Sequence, residues 1–440
     1  MIKVWVKASE IASDFSIDRN RFVDFLRAVS ISAVVLGHWL MAAPLYESGT
    51  AGIEHLLDIQ PWSRWLTWIF QVMPVFFFVG GYSNGVSWDS AQKRNQPYAD
   101  WLVSRFQRML CPVIPLLLLW IALGAAGYWL NVHPEFIRYG SQVALVPVWF
   151  LAIYFLIVML VPVSRNIWNR FGISSVIVAV ILAAIGDWIY FNSNFQWLSW
   201  LNYLFIWSAV HQLGYAWQQG KLGGESRALE SFIAGMIGLV TLIVLTKFGP
   251  YPVSLVGVPS QEISNTEAPK LPLMALGIAQ IGLLLSIEGP MRRWLAGGKA
   301  WTATVLMNGM IMPVFLWHST VMMLLIGLCF WIMPNVFLPD PGSIQWWLHR
   351  IPWLVVYMIL MLVFLPVFLW LEKCMTRQKL EGIQGLRLYA GSLCMITGLA
   401  LCAAGGVVGT GAFNLNWYAC LLPLIGGALI LIKPSKGTIF

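Results

Sequence analysis

The stretch Arg21–Leu45, RFVDFLRAVSISAVVLGHWLMAAPL, decides how the rest of the chain is read. Its apolar run is long enough to cross a bilayer as a helix at 1.5 Å per residue. Yet it carries two ionisable side chains deep in its sequence, Arg27 and His38. At about 100° per residue these two share one face, roughly 16 Å apart along the axis. Ionisable groups inside a membrane are costly and mark a protein interior or a watery cavity, so the pair is a functional candidate. A cation near one surface with an imidazole deeper in suits an anionic ligand that reaches inward to a reacting end. Asp24, three residues before Arg27, is spaced to form an ion pair with it. The competing reading of Asp24 and Arg27 is interfacial anchoring by snorkelling, and of His38 a buried imidazole bonded to a neighbouring helix.

Composition extends that reading to the whole chain. Of 440 residues, 59% are hydrophobic and only 10% charged, against about 25% charged in soluble domains. The fold expected is therefore all-α, a polytopic membrane helix bundle. Twelve spans are expected, near 22–44, 65–87, 108–130, 145–164, 173–190, 198–218, 231–248, 271–288, 303–333, 351–371, 388–406 and 416–432. With both termini cytoplasmic, 22 of the 27 Lys and Arg fall in cytoplasmic segments, as the positive-inside rule requires. That distribution explains the formal charge of +8 as topology and argues against a nucleic-acid partner. Residues 1–20 precede the first span, and Val4, Trp5, Ala8, Ile11, Ala12 and Phe15 recur at helical spacing, as in a helix lying on the membrane surface. Residues 21–375 form the core, and 385–435 a two-helix extension without ionisable groups in its helix interiors. The six cysteines lie in or beside apolar stretches with no CxxC pair, and no HExxH or clustered His/Cys ligand set occurs. No metal is expected.

Beyond the first span, polar residues recur at a few places. Met73–Gly85, MPVFFFVGGYSNG, pairs close-approach glycines with Asn84, which can bond across helices or to a ligand. Arg105 and Arg108, in SRFQR, sit one helical step apart at the opening of the third span. Paired guanidiniums suit phosphate oxygens, with topology-setting charge as the alternative. His318 lies deep in the ninth span, after Pro313, with Asn308 about three turns before it. Pro313 is expected to distort that helix. His211, Asp187 and Glu288 lie in or at the ends of other spans and are read first as packing or interface residues, while His55, His133 and His349 fall in outer loops where solvent exposure is the default.

Taken in order, these segments resemble the membrane-bound acyltransferase-3 family, over roughly residues 20–370. RFVDFLRAVSISAVVLGH looks like its opening motif of Arg and a later His, here Arg27 and His38; MPVFFFVGGYSNG is similar to its second helix. SRFQRMLCPVIP matches its Arg-x-x-Arg motif before a proline-bearing span, PVWFLAIYFLIVMLVP with Trp149 its fourth helix, and MPVFLWHSTVM with His318 its late helix. The resemblance implies a ten-helix core, so the last two helices are an addition. It implies an integral O-acyltransferase of the bacterial cytoplasmic membrane that moves an acyl group, expected to be acetyl, from cytoplasmic acyl-CoA to a hydroxyl of a cell-surface glycan or lipid.

On that reading Arg27, Arg105 and Arg108 hold the nucleotide phosphates of acyl-CoA and the pantetheine arm extends toward His38. Neutral His38 takes the acceptor's proton or carries the acyl group itself. His318 or Asn84 orients the acceptor or stabilises the oxyanion, and Asn84 and Trp149 are assigned to substrate. The rival from another class is a polytopic secondary transporter of a small or amphipathic solute. It predicts internal repeats and acidic coupling residues, neither of which the sequence offers clearly.

Overall fold

A computed structural model describes residues 2–15, 19–47, 50–332, 339–375 and 385–431. Helices α1 (Ile2–Ser13) and α2 (Arg21–Met41) lead into a two-stranded hairpin, β1 (Ala42–Glu47) and β2 (Thr50–His55). Then come α3 (Leu56–Ile59), α4 (Thr67–Phe70), α5 (Met73–Lys93), α6 (Tyr98–Leu110), α7 (Val113–Trp129), α8 (Pro134–Met159), α9 (Val161–Phe171), α10 (Ile173–Asn192) and α11 (Asn202–Gln218). The remaining helices are α12 (Ala228–Phe248), α13 (Leu271–Ser286), α14 (Glu288–Ala296), α15 (Gly298–Ile332), α16 (Ile344–Met375), α17 (Gly385–Gly405) and α18 (Trp417–Leu431). The charge-pattern residues Arg377, Lys379, Lys433 and Lys436 lie outside the described residues, as does the side chain of Val4.

Among the described residues, eight helical segments are long and apolar enough to cross a membrane, or ten if two bent pairs each count as one crossing. Those pairs are α6 with α7, bent by 43°, and α13 with α14, bent by 54°. Of the twelve expected spans, 416–432 folds around α18, a helix of 15 residues, shorter at 1.5 Å per residue than a hydrocarbon core of about 30 Å. The expected span 198–218 is helical throughout, a 3-10 turn over Gln196–Leu201 running into α11, but it is not among the segments apolar enough to cross. The bend between α6 and α7 changes the expected place of the arginine pair. Arg105 and Arg108 do not open the apolar third span but sit on α6, a separate amphipathic helix. Pro112 follows that helix; it has no N–H to continue the ladder, and its ring crowds the preceding turn. Pro313, by contrast, does not interrupt α15, which runs through it.

The chain divides into two compact units. Met1–Ala43, Ile53–Asp89 and Leu160–Ile311 form the first, and Pro44–Gly52, Ser90–Met159 and Met312–Phe440 the second. In the first, α12 and α13 are in backbone contact, because Gly235 and Gly238 on one helix face Ala279 and Gly282 on the other. The segment 249–270 is tied down by side-chain bonds to backbone. Trp68 Nε1 donates to Val253 O at 2.9 Å, Gln71 Nε2 to Leu255 O at 3.1 Å, and Asn265 Nδ2 to Ser254 O at 2.8 Å. In the second unit α17 and α18 pack on each other and α17 also packs on α8. Gln142 Nε2 donates to Ala404 O at 2.9 Å and Val407 N to Ser141 Oγ at 3.1 Å, so the two-helix extension is bonded to residues of the core segment.

Asp187 is the polar centre of the first unit's framework. It is 2% exposed, and its carboxylate accepts from Asn202 Nδ2, the Tyr251 hydroxyl and Leu271 N, each at 2.9 Å. One side chain thereby joins α10, α11, the 249–270 segment and the start of α13. Burial together with the neighbouring carboxylate raises the Tyr251 phenol well above its ordinary range, so it stays a donor. Nearby Lys270 is also buried, its ammonium donating to Glu267 O and Ala268 O and lying 4.0 Å from the Tyr190 ring centroid. Burial lowers this amine, and Asp187 and Glu267 act in the opposite direction. Asp187→Ala strands three donors in the interior. The expected loss is about 3 kcal/mol, read as a lower unfolding midpoint in detergent; an unchanged midpoint removes the carboxylate from the framework.

Candidate functional site

The first unit holds Arg27, His38 and Asn84. α2 starts cleanly because the Asn20 side chain accepts from Phe22 N, satisfying one of the free N–H groups of its first turn. Asp24, 5% exposed, sits one turn in and is clasped from two sides. Arg19 donates to it through Nε at 2.6 Å and Nη2 at 3.0 Å, and Arg27 through Nη1 at 3.4 Å. The expected Asp24–Arg27 pair is thus present, but Arg19 shares the carboxylate. Two guanidiniums against one carboxylate leave net positive charge at this end of α2. Arg27 also donates from Nη2 to Ser83 Oγ at 2.8 Å. The Asp24 main-chain carbonyl accepts from Asn308 Nδ2 at 2.9 Å, which ties α15 to the same turn.

The position of Ser83 follows from a backbone-to-backbone contact between α5 and α11. A Cβ at Gly81 would overlap the carbonyl oxygen of His211, and one at Gly214 would overlap that of Phe78. Glycine at both positions is what allows this approach. Trp217 stacks on Phe78 at 5.0 Å and Trp207 on Phe77 at 4.5 Å, so aromatic faces flank the crossing. Within it Asn84, 1% exposed, donates from Nδ2 to His211 Nε2 at 3.1 Å. His211 is fully buried, and its Nδ1 has no hydrogen-bond partner. With the amide nitrogen facing the ring, Nε2 accepts and the ring proton resides on Nδ1. Spacing alone did not connect Asn84 with His211, because the two are 127 residues apart in sequence.

His38 lies half-buried in the last turn of α2, where its main-chain carbonyl accepts from Ala42 N. The hairpin then returns the chain, and α3 packs on α2 with Leu56 and Leu57 buried. His55 starts α3 and ends the strand that pairs with the one leaving α2 at Ala42, four residues after His38. Instead of the expected exposed loop position, His55 is half-buried, and its Nδ1 is buried without a hydrogen-bond partner. Burial pushes His55 below the ordinary histidine value, and Asp58 one turn on opposes that shift. Asp58 in turn accepts from Ser260 Oγ and lies 4.0 Å from Arg64.

The second unit holds the other candidates. Arg105 is half-buried, its guanidinium 5.8 Å from the Trp101 ring centroid, while Arg108 is exposed on the same helix. Trp149 is half-buried on α8, edge-on to Phe150. His318 is fully buried, with Nδ1 donating to Phe315 O at 2.7 Å and Nε2 accepting from Ser319 Oγ at 3.1 Å. These two bonds hold the ring in one tautomer against its own helix. Among the described residues, no three His, Cys, Asp or Glu side chains gather as a metal site requires.

A helical fold with many membrane-crossing segments, and an arginine and a histidine on one face of its first such helix, define an integral membrane protein with an ionisable interior. The acyltransferase-3 family, described as an acyltransferase domain, matches residues 20–371, and the chain belongs to that family. No curated protein and no solved structure matches the chain. It is thus a membrane acyltransferase.

The α5–α11 crossing is the test of the geometry. Gly81→Val is expected to prevent folding, seen as loss of the monodisperse peak in detergent gel filtration. Gly327→Ala, at a helical position with nothing within 4 Å of a new Cβ, should leave that peak intact and raise stability by about 0.5–1 kcal/mol.

Proposed function

We propose that the protein transfers an acyl group, acetyl in the simplest case, from cytoplasmic acyl-CoA to a hydroxyl of a cell-surface glycan or lipid, in a bacterial cytoplasmic membrane. The observation that carries this reading is the first helix itself. Net positive charge held by Asp24 and Ser83 stands at one end, and an imidazole three turns away on the same face stands at the other. The helix spans the right kind of distance for a nucleotide bound at its start to deliver an extended arm toward His38. The charge pattern supports an even number of spans with both termini cytoplasmic, which puts the Arg27 end on the side where acyl-CoA is made.

In this reading Arg27 binds donor phosphate through charge-assisted bonds. The sequence motif assigns the same task to Arg105 and Arg108. His38 either removes the proton of the attacking hydroxyl or accepts the acyl group from sulfur and passes it on. Asn84 and Trp149 are assigned to substrate contacts, and His318 to orienting the acceptor or stabilising the oxyanion, roles in which Asn84 exchanges its bond to His211 and His318 one of its two bonds to its own helix. No metal enters the reaction.

Purified protein in detergent, given radiolabelled acetyl-CoA, tests the proposal. Wild type should release coenzyme A, and His38→Ala should stop that release while keeping its gel-filtration profile. Arg27→Ala and Arg105→Ala should each raise the donor KM about tenfold or more, the equivalent of one lost charge-assisted bond, with kcat less affected. Solute accumulation in vesicles without thioester loss would instead identify a transporter and overturn the proposal.

A further inference from the structure

An acyl group carried on His38 creates a chemical requirement that His38 cannot meet. Once one ring nitrogen is acylated, the other is too weak a base to take a proton from an alcohol. A second base must then stand at the same end of α2. The hairpin supplies one: its return strand, paired with the strand that leaves α2 at Ala42, ends at His55, and α3 is fixed against α2 by the buried Leu56 and Leu57. The turn that follows is held by its own bonds. Arg64 Nε donates to Leu57 O at 2.8 Å, and Ser63 Oγ donates to Gln60 O at 2.7 Å. His55 Nδ1 is shielded from solvent and has no hydrogen-bond partner, so it is not committed to the framework. The carboxylate of Asp58, one turn on, can stabilise positive charge on the ring.

We propose that His55 is the general base for the acceptor hydroxyl, and that His38 is the acyl carrier. The proposal rests on the acyltransfer reading above. In the first half-reaction a His38 ring nitrogen attacks the thioester carbonyl. The C–S bond breaks, and the ring proton passes to the departing thiolate, giving acyl-His38 and free coenzyme A. In the second, the acceptor oxygen forms the new ester bond as its proton moves to the unprotonated nitrogen of the His55 ring. The C–N bond to His38 breaks, and His55 returns the proton to the released His38 nitrogen. Both imidazoles end as they began, and no further reactant is consumed.

Water can stand in for the acceptor, so the test needs no knowledge of the natural one. Full-length protein in detergent is pulsed with radiolabelled acetyl-CoA, freed of donor, and followed for label on His38. His55→Gln should acquire label at the wild-type rate but lose it to water at least tenfold more slowly. Hydroxylamine, a nucleophile that needs no added base at neutral pH, should discharge both proteins equally fast. In His55→Ala, added imidazole should restore the discharge by water. Wild-type discharge should also slow in heavy water, a measurement that depends on no variant. Equal lifetimes in wild type and His55→Gln, or no effect of heavy water, overturn the role of His55. Coenzyme A release without label on His38 overturns it as well while leaving acyl transfer standing. Absence of coenzyme A release from wild type overturns the acyltransferase reading itself.

Discussion

The backbone contact of α5 and α11 at Gly81 and Gly214 is the constraint on which the candidate site depends. Two helices that touch main chain to main chain have little freedom to slide or rotate, since any shift drives an atom into a neighbour's backbone. Ser83 and Asn84 follow the contact by two and three residues, so their directions are set by it. Ser83 meets Arg27 and Asn84 meets His211. A charge on the first helix is thus oriented by a glycine pair that never touches it.

The same unit shows how an apolar protein keeps its few polar groups inside. Asp24 lies between two arginines, and Asp187 accepts three hydrogen bonds. Glu288, 1% exposed, accepts from Trp217 Nε1 at 3.2 Å and from Gly224 N at 2.8 Å. A buried carboxylate without such partners would be strongly disfavoured. Asp187 and Glu288 each have complete local bonding, and both serve as ties between segments. His211 and His55 differ, because each keeps a buried ring nitrogen with no partner.

Part of the site was legible in the sequence because its geometry is local. A spacing of three residues puts Asp24 against Arg27 on any helix, and eleven residues return His38 to the same face. Local rules failed where a proline intervened. Arg105 and Arg108 read as the start of a span, but Pro112 ends their helix and leaves them on α6. They failed again at His55, whose place in an outer loop between expected spans made exposure the default.

The sequence by itself determined a largely helical membrane protein, its family, and the face that unites Arg27 with His38, since hydrophobic period and helical spacing act over a few turns; it did not show the short hairpin after α2. Tertiary structure decided which distant groups meet, Asn84 with His211 and Asp187 with Tyr251 and Leu271, and it returned His55 on the strand paired with the one that leaves α2. Those meetings depend on where glycines let helices close and where a hairpin returns the chain. Both are set by packing between residues 64 to 127 positions apart or by the path of a turn, and neither leaves a periodic trace in the sequence.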